Sequence, residues 1–228
     1  MKTTSVLLLI VSFWVHQSCQ SQSIQKDYSK LVENIKIQQD SFALNFQQAD
    51  TAQQQIIISK ARRYLLETIT SELLPYWYGT PWDFNGTTRI PRKGKIACGY
   101  FVTNVLTDVG FDIPRVKWAQ SASEVFIKKL APNHLKRFTN TSIADVENYL
   151  LESGAGLYLV GLDSHTGFIT VINNKVRFVH ADYYDPEKGV VSEALNSDSP
   201  IKFSRYRVIG KLFSDEMIIS WIQKKAIR

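Results

Sequence analysis

Residues 156–182 run GLYLVGLDSHTGFITVINNKVRFVHAD, and their reading decides the fold. Three stretches within them, Gly156 to Leu162, Gly167 to Ile172 and Lys175 to His180, have the β-branched and aromatic content of strands. Asn173-Asn174 reads as the two-residue turn of a hairpin, because asparagine tolerates the positive φ that such turns demand. Residue 172 then opposes 175, and counting outward sets Gly167 opposite His180 and His165 opposite Asp182. These four residues therefore share one face. The two imidazoles stand in the diagonal relation that separates Cα atoms by about 7–8 Å, within reach of long polar side chains.

Upstream of this segment the period is helical. Ile57, Leu65, Ile69 and Leu73 recur at helical spacing from Ile56 to Leu74 until Pro75 stops the run. Phe101, Val102, Val105, Leu106 and Val109 form the apolar stripe of a helix that starts near Cys98 and is capped at Gly110. Further helices are predicted for Ser121 to Leu130, for Ser142 to Leu151 with Ser142 as cap and Asp145 in the first turn, and for Asp215 to Lys225. Ile201 to Phe203 and Tyr206 to Leu212 are expected to be strands. Tyr76 to Lys95, rich in Gly, Pro, Asn and aromatic residues, reads as a long irregular segment of the kind that usually carries function. Helices first and strands later indicate an α+β fold.

A chain of 228 residues can bury one well-formed core, and its 44% hydrophobic and 12% aromatic content excludes global disorder. The formal charge of +6 favours anionic surroundings. Arg89, Arg92, Lys93 and Lys95 are the densest central patch, which reads as a solvated loop or as a binding surface. No nucleic-acid motif accompanies the charge, so no nucleic-acid partner is expected. Lys2 followed by the apolar run Val6 to Val15 reads as an export signal over residues 1–21, too short for the roughly 20 apolar residues of a membrane span. Ser18, Cys19 and Ser21 permit a conventional cut. Cys19 could instead carry the lipid of a bacterial lipoprotein and tether the chain to a membrane, a reading that His16 and Gln17 fit poorly. Residues 22–55 are Gln-rich and expected to form surface helices or a tether, and residues 56–228 to form the catalytic domain.

With the signal removed, Cys98 is the remaining thiol and cannot form an internal disulfide. A lone cysteine in an exported protein is a buried small hydrophobe unless its position gives it a task. Position does so here, because unpaired N–H groups in the first turn of a helix favour a thiolate, and a nearby imidazole can complete a thiolate–imidazolium pair. His134 lies among Pro132, Asn133, Lys136 and Arg137, which is loop chemistry. His165 is thus the candidate base. The third member is His180 on the diagonal or Asp182 directly opposite, with His180 preferred because Phe178 and Val179 carry the strand through it. The Cys98 N–H should serve an oxyanion hole, and Tyr78 and Trp82 are candidates for its second donor or for substrate contact, against the alternative that these aromatics only pack. Three histidines and one cysteine so spread do not make a metal-site spacing, and no cofactor is expected.

These residues resemble the NlpC-type cell-wall cysteine peptidases, a bacterial branch of the papain-like fold. The likeness covers about Tyr76 to Tyr183 and rests on Tyr78-Gly79-Thr80-Pro81-Trp82, Ala97-Cys98-Gly99-Tyr100-Phe101-Val102, His165-Thr166-Gly167-Phe168-Ile169 and Phe178-Val179-His180-Ala181. The family commonly has Asp-Cys-Ser at the nucleophile, where this chain has Ala97 and Gly99 as flanks, and its usual glycine pair is replaced by Asp83-Phe84-Asn85-Gly86. The resemblance implies a papain-like fold with the nucleophile at a helix N-terminus packed on an antiparallel sheet. It further implies a peptidoglycan or muropeptide substrate cut through a thioester, and a place in the periplasm or outer envelope of a bacterium. An acyltransferase or transglutaminase-like enzyme of the same fold, and a non-catalytic wall-binding module, are the rival readings. The sequence does not indicate an oligomeric state.

Overall fold

The computed structural model describes residues 4–228, with side chains from residue 24 onward. Helix α1 (Thr4–Gln48) is followed by α2 (Thr51–Glu67), whose end widens into a π-helical turn (Thr68–Leu73), and by α3 (Leu74–Trp77). An irregular stretch leads to α4 (Cys98–Asp108), α5 (Arg115–Ala119), α6 (Ser123–Leu130), β1 (Leu135–Thr139) and α7 (Ile143–Ser153). Then come β2 (Gly156–Leu162), β3 (Thr166–Ile172), β4 (Lys175–Ala181), β5 (Val190–Ala194), α8 (Pro200–Phe203), β6 (Tyr206–Lys211) and α9 (Asp215–Ile222). The strands make one six-stranded sheet in the order β1-β6-β2-β3-β4-β5, antiparallel at every pairing. The architecture is α+β.

Both faces of this sheet are covered. Leu157, Leu159, Phe168, Val179 and Val208 pack against the layer that contains α4, where Phe101 meets Phe168 edge to face at 5.8 Å. Tyr158, Val160, Ile169, Val171, Phe178 and Ile209 on the other face pack with Val146 and Leu150 of α7. A strand buried on two sides has no polar face to show, which is why β2 and β3 read as nearly continuous apolar runs. The β3–β4 hairpin has the expected register, with Ile172 paired to Lys175 and φ of 50° and 58° at Asn173 and Asn174. Helix α7 begins at Ser142, whose hydroxyl accepts from the Asp145 N–H at 3.2 Å, and Gly110 follows α4 with φ +102°.

The stretch expected as a strand at Ile201 to Phe203 is instead the short helix α8. Pro200 sits at its start, where a fixed φ suits a helix, and buried Arg207 donates to the carbonyls of Ile201 at 2.7 Å and Lys202 at 2.9 Å. The Gln-rich segment is not a free tether. Ile35 is fully buried, and the Gln39 amide donates to the carbonyls of Gly110 at 3.1 Å and Trp221 at 2.7 Å, while Gln38, Gln47 and Gln48 face solvent. The reading of residues 1–21 as a signal, and of Cys19 as a lipid carrier, concerns side chains outside the described residues. Among the described residues no helix is long and apolar enough to cross a membrane.

Candidate active site

Ala97 is extended, and the first helical bond of α4 runs from the Phe101 N–H to the Ala97 carbonyl at 2.9 Å. The N–H groups of Cys98, Gly99 and Tyr100 are thereby left without partners inside the helix. A Cβ on Gly99 would stand 2.2 Å from the Ala119 carbonyl oxygen, so only glycine lets the end of α5 close over the start of α4. The free thiol of Cys98 is half-buried and lines a cleft of about 600 Å³. Gly99, Gln120, Ser123 and Glu124 line one side of this cleft, and Asp163, His165, Thr166 and Tyr206 another. Burial pushes the Cys98 thiol above its ordinary pKa, and the N–H groups of Thr166, Gly99 and Cys98 itself pull it only part of the way back.

His165 stands one residue ahead of β3, in a turn closed by the Leu162 N–H donating to its carbonyl at 2.8 Å. The Asp163 carboxylate pins that turn to the start of β6, accepting from the Arg205 N–H at 2.7 Å, the Ser204 hydroxyl at 2.8 Å and the Tyr206 N–H at 3.1 Å. His165 is buried, and its Nε2 lies 3.0 Å from Nδ1 of His180, the two rings standing perpendicular. Burial, and after it the neighbouring His180, hold the His165 pKa well below its ordinary value. His180 is fully enclosed and stacks on Phe178 with ring centroids 4.1 Å apart. Its Nε2 lies 3.0 Å from Oε1 of Glu193 on β5. Burial raises the Glu193 pKa, but the hydrogen bond and electrostatic pull of the His180 ring, with Lys188 beyond, outweigh it and hold the carboxyl below its ordinary range.

Cysteine and histidine reach one cleft from different layers. Phe178 and His180 project from the sheet face that α7 covers, whereas α4 packs on the opposite face through Phe101 and Phe168. They meet at the rim of the sheet, because His165 precedes its strand and the next residue, Thr166, offers its N–H to the thiol. Among the described residues no hydrogen bond joins Sγ directly to the imidazole. Catalytic hydrogen bonds are often long in unliganded sites and tighten when substrate binds.

The other predicted residues fall elsewhere. Strand β4 ends at Ala181, and the Asp182 carboxylate turns back to accept from the Tyr184 N–H at 2.9 Å and to face Lys188 at 3.9 Å, so it is His180 that stands behind His165. Tyr78 does not enter the cleft. The Gly79 N–H donates to Val190 and the Val190 N–H to Thr80, both at 2.9 Å, which aligns the segment along β5 and brings the phenol to Ser192, in a separate cavity with Thr170 and Arg177. Trp82 lies behind the base, its ring 6.0 Å from Tyr183, whose own ring is 5.0 Å from that of His165. Its buried Nε1 has no hydrogen-bond partner among the described residues. The basic patch stays at the surface, its four residues exposed, with Arg89 on Asp108 at 2.5 Å, Arg92 on the carbonyls of Pro75 and Tyr78 at 3.0 Å and Lys95 facing Asp83 at 3.9 Å.

Sequence reasoning missed Glu193 because it left β5 unassigned. The signal was present in Val190-Val191 after the turn-rich Asp182 to Gly189, and pairing that strand to β4 would have set Glu193 opposite Phe178, diagonal to His180. No protein-family model, curated protein or solved structure matches the chain, so its reading rests on the geometry of this site.

Proposed function

We propose that the chain is an exported, papain-like cysteine hydrolase of the NlpC type that cleaves an amide bond in peptidoglycan stem peptides. The observation that carries the reading is the placement of Cys98, at the first turn of α4, in one cleft with His165, whose Nε2 is taken by His180. With Nε2 engaged, Nδ1 is the nitrogen left to receive the thiol proton. Sγ then attacks the substrate carbonyl, the Cys98 N–H offers a donor to the developing oxyanion, and the imidazolium returns its proton to the leaving amine. Water, deprotonated by the same imidazole, resolves the thioester and frees the acid. The cleft sets hydroxyls and an amide (Gln120, Ser121, Ser123, Tyr206) beside apolar Phe126, Leu162 and Val208, a lining that suits a peptide carrying both polar and apolar groups.

The test is mass spectrometry of purified sacculi incubated with the protein. Hydrolysis adds one water to the cut fragment, whereas an acyltransferase adds the acceptor amine. Cys98→Ala should abolish either product. Equal cleavage by wild type and Cys98→Ala would end the cysteine mechanism. Binding of sacculi by both proteins with no turnover by either would favour a wall-binding module.

A further inference from the structure

His165, His180 and Glu193 lie on three adjacent strands or their ends and step diagonally across one sheet face. The register pairs His180 with Val191 and Phe178 with Glu193, and the β3–β4 count sets Gly167 opposite His180, so each polar residue is two positions displaced from direct opposition. Both steps are closed by contacts of 3.0 Å. Gly167 makes the first possible, since a Cβ there would sit 2.9 Å from that of His180 and 2.7 Å from the Val179 carbonyl oxygen.

The protons in this row follow from the acceptor at its end. An ionised carboxylate only accepts, so His180 Nε2 must carry hydrogen. With His180 in its neutral form Nδ1 is bare and accepts, so His165 Nε2 carries hydrogen in turn, the state in which His165 can serve as base. That leaves the lone pair of His165 on Nδ1, the nitrogen the thiol proton needs. We infer that Glu193 is a positioning residue of the site, which acts through His180 to fix the tautomer of His165 and to stabilise the imidazolium formed during attack.

The surroundings leave the row little freedom. His180 is fully buried with both ring nitrogens occupied and Phe178 stacked on its face. The charged and titratable groups near it are His165 with Cys98 beyond, Glu193, and Tyr183, Tyr184, Lys188 and Asp182 in the loop before β5, while Arg177 turns to Ser192. Lys188 Nζ lies 3.4 Å from Oε2 of Glu193, which holds the second oxygen and leaves Oε1 for the ring. A carboxylate kept only for the surface pair with Lys188 would not need to point at an enclosed imidazole.

This inference rests on the proposed hydrolase chemistry, and the experiment separates the two. Glu193→Gln keeps shape and acceptor but removes charge, and Glu193→Leu removes the acceptor. In wild type, nitrogen NMR of labelled histidine should show His165 and His180 both as Nε2–H tautomers near neutral pH. Glu193→Gln should retain the tautomers, lower kcat by about 10–100-fold with little change in KM, and move the acid limb of the rate profile to lower pH, because the imidazolium loses its counter-charge. Glu193→Leu should mix the tautomers, while Glu193→Asp recovers part of the rate. Alkylation of Cys98 at neutral pH should slow in both the Gln and the Leu variants. If wild type cleaves no sacculi, the hydrolase reading fails, yet the tautomers and the alkylation rate still decide the role of Glu193. Nδ1–H tautomers in wild type would overturn the assignment. So would alkylation and a pH profile unchanged in Glu193→Gln, whatever its stability.

Discussion

Tyr28→Phe tests whether α1 belongs to the folded domain. The phenol is buried at the junction of α1 with the nucleophile helix, donating to Oδ2 of Asp108 at 2.7 Å and accepting from Nε1 of Trp77 at 3.1 Å. Burial, with Asp108 alongside, keeps it protonated. Phenylalanine preserves the edge contacts of the ring with Tyr76 and Trp77 and removes only the oxygen. Two buried groups are then affected: the indole N–H loses its acceptor, and the carboxylate keeps Arg89 but loses a donor. Hydrogen bonds to charged groups are worth about 1.5–3 kcal/mol and an orphaned buried donor costs about 1–3 kcal/mol, so a net loss of about 2–4 kcal/mol is expected. At about 2–4 °C per kcal/mol for a chain of this size, Tm should fall by about 4–16 °C. The loss should also depend on pH. Burial raises the Asp108 pKa, with Tyr28 and then Arg89 opposing. Removing the phenol raises it further. A carboxyl with a raised folded pKa costs stability as pH rises through that value, so the variant should lose more at pH 7 than at a pH below the carboxylate range. Urea midpoints for both proteins at two pH values give the answer, provided the slopes agree. A loss under about 0.5 kcal/mol, the scale of an ordinary surface change, or one identical at both pH values, would refute the reasoning.

Three further outcomes follow from the site. Gly167→Val should displace the His180 ring from its 3.0 Å contact, because the neighbours at 2.7–2.9 Å include a backbone carbonyl, and overpacking of this kind costs about 1–3 kcal/mol. Unchanged urea midpoint and unchanged turnover together would contradict that geometry. His165 has a depressed pKa, so the stability it contributes is present above the ordinary value of 6.5 and lost as pH falls toward its folded pKa. The urea midpoint should therefore drop on acidification below 6.5, and His165→Asn should flatten that drop. The Cys98 pKa is raised above 9.0, so the alkylation rate of wild type should keep climbing past pH 9, and a plateau below pH 8 would show an activated thiolate instead.

What the sequence made legible was whatever local pattern controls. The Asn173-Asn174 turn fixed a register, and the register put His165 beside His180 without knowledge of any other contact. The apolar stripe from Phe101 to Val109 likewise located α4 and placed Cys98 in its first turn. What stayed hidden depends on distant partners. Strands β1 and β5 are the sheet edges, with burial too partial to leave a clear period. Ile201 to Phe203 has strand-like residues, and its helix becomes intelligible only with Pro200 at its start and the buried guanidinium of Arg207 on its carbonyls. Gln39 reads as one more surface glutamine, yet it is 4% exposed and bridges the carbonyls of Gly110 and Trp221, both distant in sequence. Tyr78 and Asp182 failed as site residues because their directions are set by β5 and by Gly189. The latter has φ +68°, and a Cβ there would stand 2.1 Å from the Thr80 carbonyl oxygen.

Two forces oppose each other at Cys98, and their magnitudes decide the resting state. A helix N-terminus stabilises a neighbouring anion by about 0.3–1 kcal/mol at the surface and up to about 2 kcal/mol when partly buried. Removing a charge from water costs several kcal/mol, and here that cost wins, since the thiol pKa is raised despite three backbone N–H groups around it. The same burial lowers the pKa of His165. Both shifts favour thiol and neutral imidazole over the ion pair that position alone predicted. In the proposed hydrolase, charge separation is then driven by the substrate, when a carbonyl arrives and Sγ gives up its proton to Nδ1 as it bonds. The proposed imidazolium is largely buried and little solvated, so its stability falls mainly to His180 and to the carboxylate behind it. A neutral thiol is also a poor target for oxidants and for disulfide exchange, which react with the thiolate. For an enzyme that works outside the reducing interior of a cell, as proposed above, a nucleophile that ionises only against its substrate is protected by the same burial that slows its attack.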